Sequence, residues 1–217
     1  MFTRKLRVAV EGEQLRTIEF LLRKKSDMNI QIDGSPLLSW AASSGKEKSV
    51  GLLIEKGADV NLTDKDGATE LHEAAMEGHV AVVKLLIEKG INVNAQNKDG
   101  FTALHCSVQH GSQEVVETLL SNGAQVDLAG AGGHTPLYIA AQSGNVKITE
   151  LLVTKGANVN AQAKDGFNPL VIASSNGHLE VVKLLVKVGP MLMLIVLVVL
   201  QPLLLFVVIM QKLLIFC

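Results

Sequence analysis

The chain has 217 residues with 20 Lys and Arg against 21 Asp and Glu, a net charge of −1 that gives no basis for gripping nucleic acid or an anionic membrane surface. Aromatic residues make up 4%, with a single Trp (Trp40), which is lean for one large core and natural for thin stacked layers. Two cysteines, Cys106 and Cys217, stand far apart in no redox or metal spacing, so the expected compartment is reducing, intracellular and cytoplasmic.

The opening MFTRKLRVAVEGEQ has basic residues but no apolar stretch of signal-peptide length before Glu11, Glu13 and Glu19. Residues 4–25 read as a first helix pair. Gly12 keeps the phase of later glycines, but RKKSDMNIQIDG replaces the full glycine-capped loop of later segments, so the register slips by one residue. Residues 1–33 are therefore expected to form an N-terminal capping unit, with Arg4, Lys5, Arg7, Arg16, Arg23, Lys24 and Lys25 on its polar outer face.

Beyond it the chain repeats. Gly57, Gly90, Gly123, Gly156 and Gly189 recur every 33 residues, as do Gly34, Gly67, Gly100, Gly133 and Gly166, and the series Gly45, Gly78, Gly111, Gly144 and Gly177. This divides the chain into units at 34–66, 67–99, 100–132 and 133–165, a truncated unit at 166–189, and a tail at 190–217.

Within each unit Thr69, Thr102 or Thr135 stands before a helical pattern, where its hydroxyl can cap a first-turn amide. Pro136 and Pro169 occupy the first helical position, where no N–H is needed. Leu71, Ala74 and Ala75, like Leu137, Ala140 and Ala141, put one large and two small side chains on one face, so neighbouring helices can approach closely. Gly78, Gly111, Gly144 and Gly177 end this helix in the left-handed region. A second helix follows, as in VAVVKLLIEK and VKITELLVTK, and ends at Gly90, Gly123, Gly156 or Gly189. Asp66-Gly67, Asp99-Gly100 and Asp165-Gly166 signal tight turns, and Asn61, Asn94, Asp127 and Asn160 are expected to bond local backbone in the segment leading to them.

TELHEAA, TALHCSV and TPLYIAA, and more loosely NPLVIAS, resemble the T-P-L-H-x-A-A of the ankyrin repeat, and period, motif and phase agree over about residues 1 to 189. The expected fold is an all-α repeat solenoid, an ankyrin-repeat array of stacked helix-turn-helix units with short β-hairpin fingers, stable only through stacking.

Catalytic and cofactor chemistry finds no foothold in the residues. His72 and His105 share one repeat position, which points to hydrogen bonding near the helix start, and Cys106 with His110 falls short of the three or four ligands of a zinc site. No phosphate-cradling G-x-x-x-x-G-K-[ST] occurs, and Asp64 and Asp66 are turn residues beside Lys65. The expectation is a protein that is not an enzyme and needs no cofactor or metal.

Recognition of another protein remains, with no nucleic-acid role. The family resemblance implies docking on finger tips and exposed first-helix residues, here Lys65, Ala68, Met76, Glu77, Lys98, Phe101, Gln109, His110, Gly132, His134, Gln142, Ser143, Lys164, Phe167, Ser175 and Asn176. Phe101 and Phe167 are the hot-spot candidates, weighed against packing on the next finger.

The tail opens with GPMLMLIVLVVL, and residues 191–210 are long enough, at about 30 Å if helical, to cross a bilayer, interrupted by Gln201 and Pro202. A membrane-tethered protein is thus the alternative reading. The codons of 190–194 read one base earlier also permit ANVNA, the text of 157–161, as if a further unit were translated out of frame. Either way the segment can enter lipid, pack on the uncovered face of the 166–189 unit, or promote aggregation.

Overall fold

The computed structural model describes residues 2–23, 28–32 and 34–188. Helices come in antiparallel-style pairs: α1 (Phe2–Glu11) with α2 (Leu15–Leu22), α3 (Leu37–Ser43) with α4 (Glu47–Glu55), and α5 (Glu70–Met76) with α6 (Val80–Glu88). The pattern continues with α7 (Ala103–Gln109) and α8 (Gln113–Ser121), α9 (Pro136–Ser143) and α10 (Val146–Thr154), then α11 (Pro169–Ser175) and α12 (Leu179–Val188). Each odd helix packs on the next odd helix and each even helix on the next even one, which makes a stack of pairs.

The small residues set this stacking. Ala74, Ala75, Ala140 and Ala141 are fully buried beside Leu71 and Leu137. One apolar core runs from Leu6 to Leu185 through every pair. No pair closes its own core, so burial couples each unit to its neighbours.

The first helix of each pair ends as the glycines require. At α5 the amides of Gly78 and His79 reach back to the carbonyls of Ala75 and Ala74, with Gly78 at φ +77°. In the first unit the same job falls one residue later. Glu13, not Gly12, takes the left-handed conformation at φ +47°, which locates the register slip. Its carboxylate then accepts the amide of Lys48 in the next unit at 3.1 Å, a contact glycine cannot make.

The outer face of that first unit is less polar than its arginines suggest. Arg7 lies over the Trp40 ring at 4.5 Å and pairs with Glu11, so it serves the junction with the second unit. Val8 and Phe20 are 53% and 73% exposed. Lys24 and Lys25 lie outside the described residues.

The fingers are turns more than hairpins. Among the described residues only β1 (Gln31–Ile32) and β2 (Ser35–Pro36) form a ladder, antiparallel, with Ile32 opposite Ser35. The later fingers have three-residue loops. Asn97 donates to the Phe101 carbonyl at 2.9 Å, Gly100 closes back on Asn97 at 2.9 Å, and the Asn97 carboxamide accepts the amides of Asp99 and Phe101. One backbone bond beyond the turn is too little for a strand. The missing order comes from the neighbour: the Lys98 amide donates to Asp66, Ala131 to Asp99, and Lys164 to Gly132, at 3.0, 2.7 and 2.9 Å.

The polar series before each finger also works between units. Asn94 accepts the Gln125 amide and donates to the Gly123 carbonyl, and Asp127 accepts the Asn158 amide. Local backbone bonding, expected of these residues, falls instead to Asp59, Asn92 and Asn158 two positions earlier, which accept from Asn61, Asn94 and Asn160.

Finger-to-finger contact makes a measurable distinction between two glycines in the same conformation. A Cβ on Gly100 (φ +71°) would stand 2.8 Å from the Ala131 amide nitrogen, whereas one on Gly166 (φ +82°) would meet nothing within 4 Å among the described residues. Gly166→Ala is expected to cost about 1 kcal/mol, the left-handed penalty alone, and Gly100→Ala about 2 kcal/mol. Urea unfolding of the two variants checks this, and equal losses would mean that the fingers do not press on one another.

Candidate interaction surface

The start of each first helix builds a polar lattice that carries the fingers. Thr69 and Thr102 are N-caps in extended conformation and Thr135 accepts the Tyr138 amide at 3.2 Å. In the two histidine units the imidazole joins in. Nδ1 of His72 accepts the Thr69 amide at 3.0 Å, so the proton sits on Nε2, which donates to the Phe101 carbonyl of the next finger at 2.9 Å. His105 does the same with Thr102 and His134 at 3.0 and 3.1 Å. Burial lowers both imidazole pKa values, that of His105 to about 4. These histidines are neutral struts between units.

Asn168, where the later motif is loosest, caps α11 by accepting the Val171 amide at 2.9 Å, and Pro136 and Pro169 start their helices as expected. Two further histidines lock the helix ends together. His79 lies against Gly45 so closely that a Cβ there would come within 2.7 Å of the ring, and its Nε2 donates to the Ser43 carbonyl. His178 repeats this at Gly144 and Gln142. Their signal, a histidine just before the second helix, was present in the sequence, but the partner lies a whole unit upstream.

On this lattice the candidate contact residues fall at equivalent places. Lys65, Lys98 and Lys164 are exposed at finger tips joined by backbone bonds, and the Lys98 ammonium donates to the Lys65 carbonyl. Glu77, Gln109, His110, Gln142, Ser143, Ser175 and Asn176 are exposed at the ends of the first helices, with Met76 half-buried among them. Asn176 donates to the Gln142 carbonyl at 2.9 Å, tying two of these ends together.

The finger aromatics divide. Phe101 is half-buried, stacks on His105 with centroids 5.1 Å apart, and covers Gly130 of the next finger so tightly that a Cβ there would lie 2.4 Å from the ring. Phe101 therefore packs the array. His134 is similarly half-buried, stacked on Tyr138 at 4.6 Å and pressed over Gly132. Phe167 is 42% exposed. Ala68 is half-buried and contributes backbone to its finger.

Glu73 belongs to the same region and was not singled out from the sequence. Burial, then the nearby charges of Asp64 and Glu77, raise its carboxyl pKa. Its place one residue after the motif histidine is the signal that points to it. Burial pushes the Cys106 thiol up to about 11, which leaves it protonated and unreactive. Its backbone carbonyl, not its sulfur, meets His110. Among the described residues no group of three or more His, Cys, Asp or Glu could hold a metal, and no helix is long and apolar enough to cross a membrane. The membrane span expected at 191–210 and the shifted-frame unit lie outside the described residues.

Paired helices, left-handed glycine ends and a row of bonded fingers define a helical repeat solenoid, a class that generally serves protein–protein interaction and is typically not enzymatic. The family described as ankyrin repeats (3 copies) matches residues 6–97, 38–130 and 126–192, and the chain belongs to it. No curated protein matches the chain.

Proposed function

We propose that this chain is a non-enzymatic scaffold that binds a partner protein through its finger tips and first-helix ends, as an array of the six units delimited above, and acts in the cytoplasm. The observation that supports it most is the continuous row of fingers. Exposed Lys65, Lys98 and Lys164 stand on backbone-bonded tips, while neighbouring positions fixed by the repeat are buried. A surface free of packing duty is where recognition residues can vary. Phe167, with the exposed helix-end polar residues, is the anchor, and Phe101 is a support beneath the surface.

The test separates these roles. Phe167→Ala and Lys98→Glu are expected to weaken capture of a cellular partner, Phe167→Ala by about 2 kcal/mol or more, roughly thirtyfold, with little change in thermal midpoint. Phe101→Ala is expected to lower the midpoint. Lys84→Glu, on a second helix, should leave capture intact. If a protein retained by the wild type is lost with Lys84→Glu and kept with Phe167→Ala, the partner sits on the other face.

A further inference from the structure

Among the described residues four second helices, α4, α6, α8 and α10, run into a left-handed glycine, and three of them end alike. Lys56, Lys89 and Lys155 each donate their amide to the carbonyl four residues back at 3.0 Å, and Gly57, Gly90 and Gly156 donate to Ile54, Ile87 and Val153 at 2.9, 3.0 and 3.0 Å. Helix α8 ends on Asn122 instead. Its carboxamide nitrogen donates to the Thr118 carbonyl at 2.8 Å, the acceptor that the backbone amide takes in the other three. The Asn122 amide turns to the Leu119 carbonyl at 3.1 Å, which it shares with Ala124, and the backbone stands at φ −113° and ψ 28° against −82° and 4° at Lys89. The Gly123 amide donates to no acceptor among the described residues, and both Asn122 and Gly123 are exposed.

We propose that Asn122 and Gly123 form a site of spontaneous deamidation that the folded array leaves open. The Gly123 nitrogen gives its proton to hydroxide and attacks Cγ of Asn122. An N–Cγ bond forms as the Cγ–Nδ2 bond breaks, and the leaving nitrogen takes a proton from water and departs as ammonia. Water then opens the succinimide, at Cγ to give aspartate or at the main-chain carbonyl to give an isoaspartyl linkage. Attack needs a nitrogen unhindered by a side chain, and the sequence offers two such pairs in the same setting, Ser121-Asn122-Gly123 and Ser175-Asn176-Gly177. The second pair is held. The Gly177 amide donates to the Ser174 carbonyl and the Asn176 amide to Ile172, both at 3.1 Å, and the Asn176 carboxamide donates to Gln142 at 2.9 Å. Rotation about ψ that brings the nucleophile against Cγ breaks a backbone bond of Gly177 but none of Gly123. The product changes the array at this place. A carboxylate cannot donate to Thr118, opposes the dipole at the end of α8, and joins Glu88, Glu114 and Glu117 along the groove between α6 and α8. An isoaspartyl linkage also lengthens the main chain just ahead of Gly123 and Gln125, which Asn94 holds at 3.0 and 2.8 Å.

Incubation of the full chain at pH 8, with its peptides read by mass spectrometry for replacement of carboxamide by carboxylate, tests this. Asn122 is expected to deamidate at least about tenfold faster than Asn176 in the native chain, and the ratio to fall below about threefold in concentrated urea, where the two Ser-Asn-Gly segments are equivalent. A native ratio below about tenfold overturns the proposal, because the unbonded Gly123 amide then has no effect on the rate. A ratio above about threefold in urea also overturns it, because the flanking residues and not the fold then set the difference.

Discussion

Replacing Glu70 by Pro is expected to stabilise the protein by about 2 to 3 kcal/mol at pH 8 and by very little at pH 5. Glu70 is the first residue of α5, where Pro136 and Pro169 stand in later units. Its side chain is completely buried, with Oε1 accepting from the Ser39 hydroxyl at 3.1 Å and Oε2 without a hydrogen-bond partner among the described residues. Burial raises its pKa from 4.5 to about 7, against the opposing pull of its own amide and Ser39. The folded chain thus keeps a proton between pH 4.5 and 7 that the unfolded chain gives up. The stability this carboxyl contributes is fully present below 4.5 and is lost as pH rises through 7, on the order of 3 kcal/mol in total. Proline cannot titrate, and the extended Thr69 before it, at φ −92° and ψ 170°, already has the backbone that proline requires. The Ser39 bond favours the ionised carboxyl, and that preference is already contained in the shifted pKa. The gap between the two stabilisations, from urea curves at pH 8 and pH 5, is therefore the diagnostic quantity, and an equal effect at both would show that Glu70 does not titrate in this range.

Glu70 also shows where reading the sequence stops. A glutamate in the first turn of a helix is an ordinary solvated residue that complements the helix dipole, and only the neighbouring unit makes it buried. Ser39 holds the position of His72 and His105 but is too short to do their work, and it donates to Glu70 instead. What the sequence displayed well is local: left-handed glycines, threonine caps, proline at the first helical position, and small residues on one face. These depend on a residue and its near neighbours. What it hid spans a unit or more. Asn94 bonds Gln125, His79 lies over Gly45, and Phe101 covers Gly130 because adjacent units bring together residues about 30 apart. The candidate surface was legible for the same reason in reverse, since its positions are those the repeat leaves unconstrained. Phe101 was the ambiguous member, because an aromatic at a finger tip reads alike whether it packs sideways or faces a partner.

His105→Ala is expected to cost about 3 to 4 kcal/mol at pH 7.5 and about 2 to 3 kcal/mol less than that at pH 4.5. At neutral pH the substitution leaves the Thr102 amide and the His134 carbonyl without the imidazole, and removes the ring stacked on Phe101. Tyr138 shows that the position can be filled otherwise, since its hydroxyl donates to Asp165 at 3.2 Å, but alanine offers no polar atom. The acid limb has the opposite sign to Glu70. An unfolded imidazole takes up a proton near 6.5, whereas the folded His105 resists until about 4, because it is buried and its Nδ1 is occupied by an N–H. Wild-type stability from this group is present above 6.5 and is lost as pH falls toward 4, and His72 adds to the loss in the same direction. Alanine has nothing to protonate, so the variant is spared that loss and the two proteins converge in acid. Glu70 gains over much of the interval in which the histidines lose, so the wild-type profile alone conceals both. The difference between wild type and His105→Ala at the two pH values isolates one of them, and a cost that does not shrink in acid would mean that His105 is already charged in the folded array.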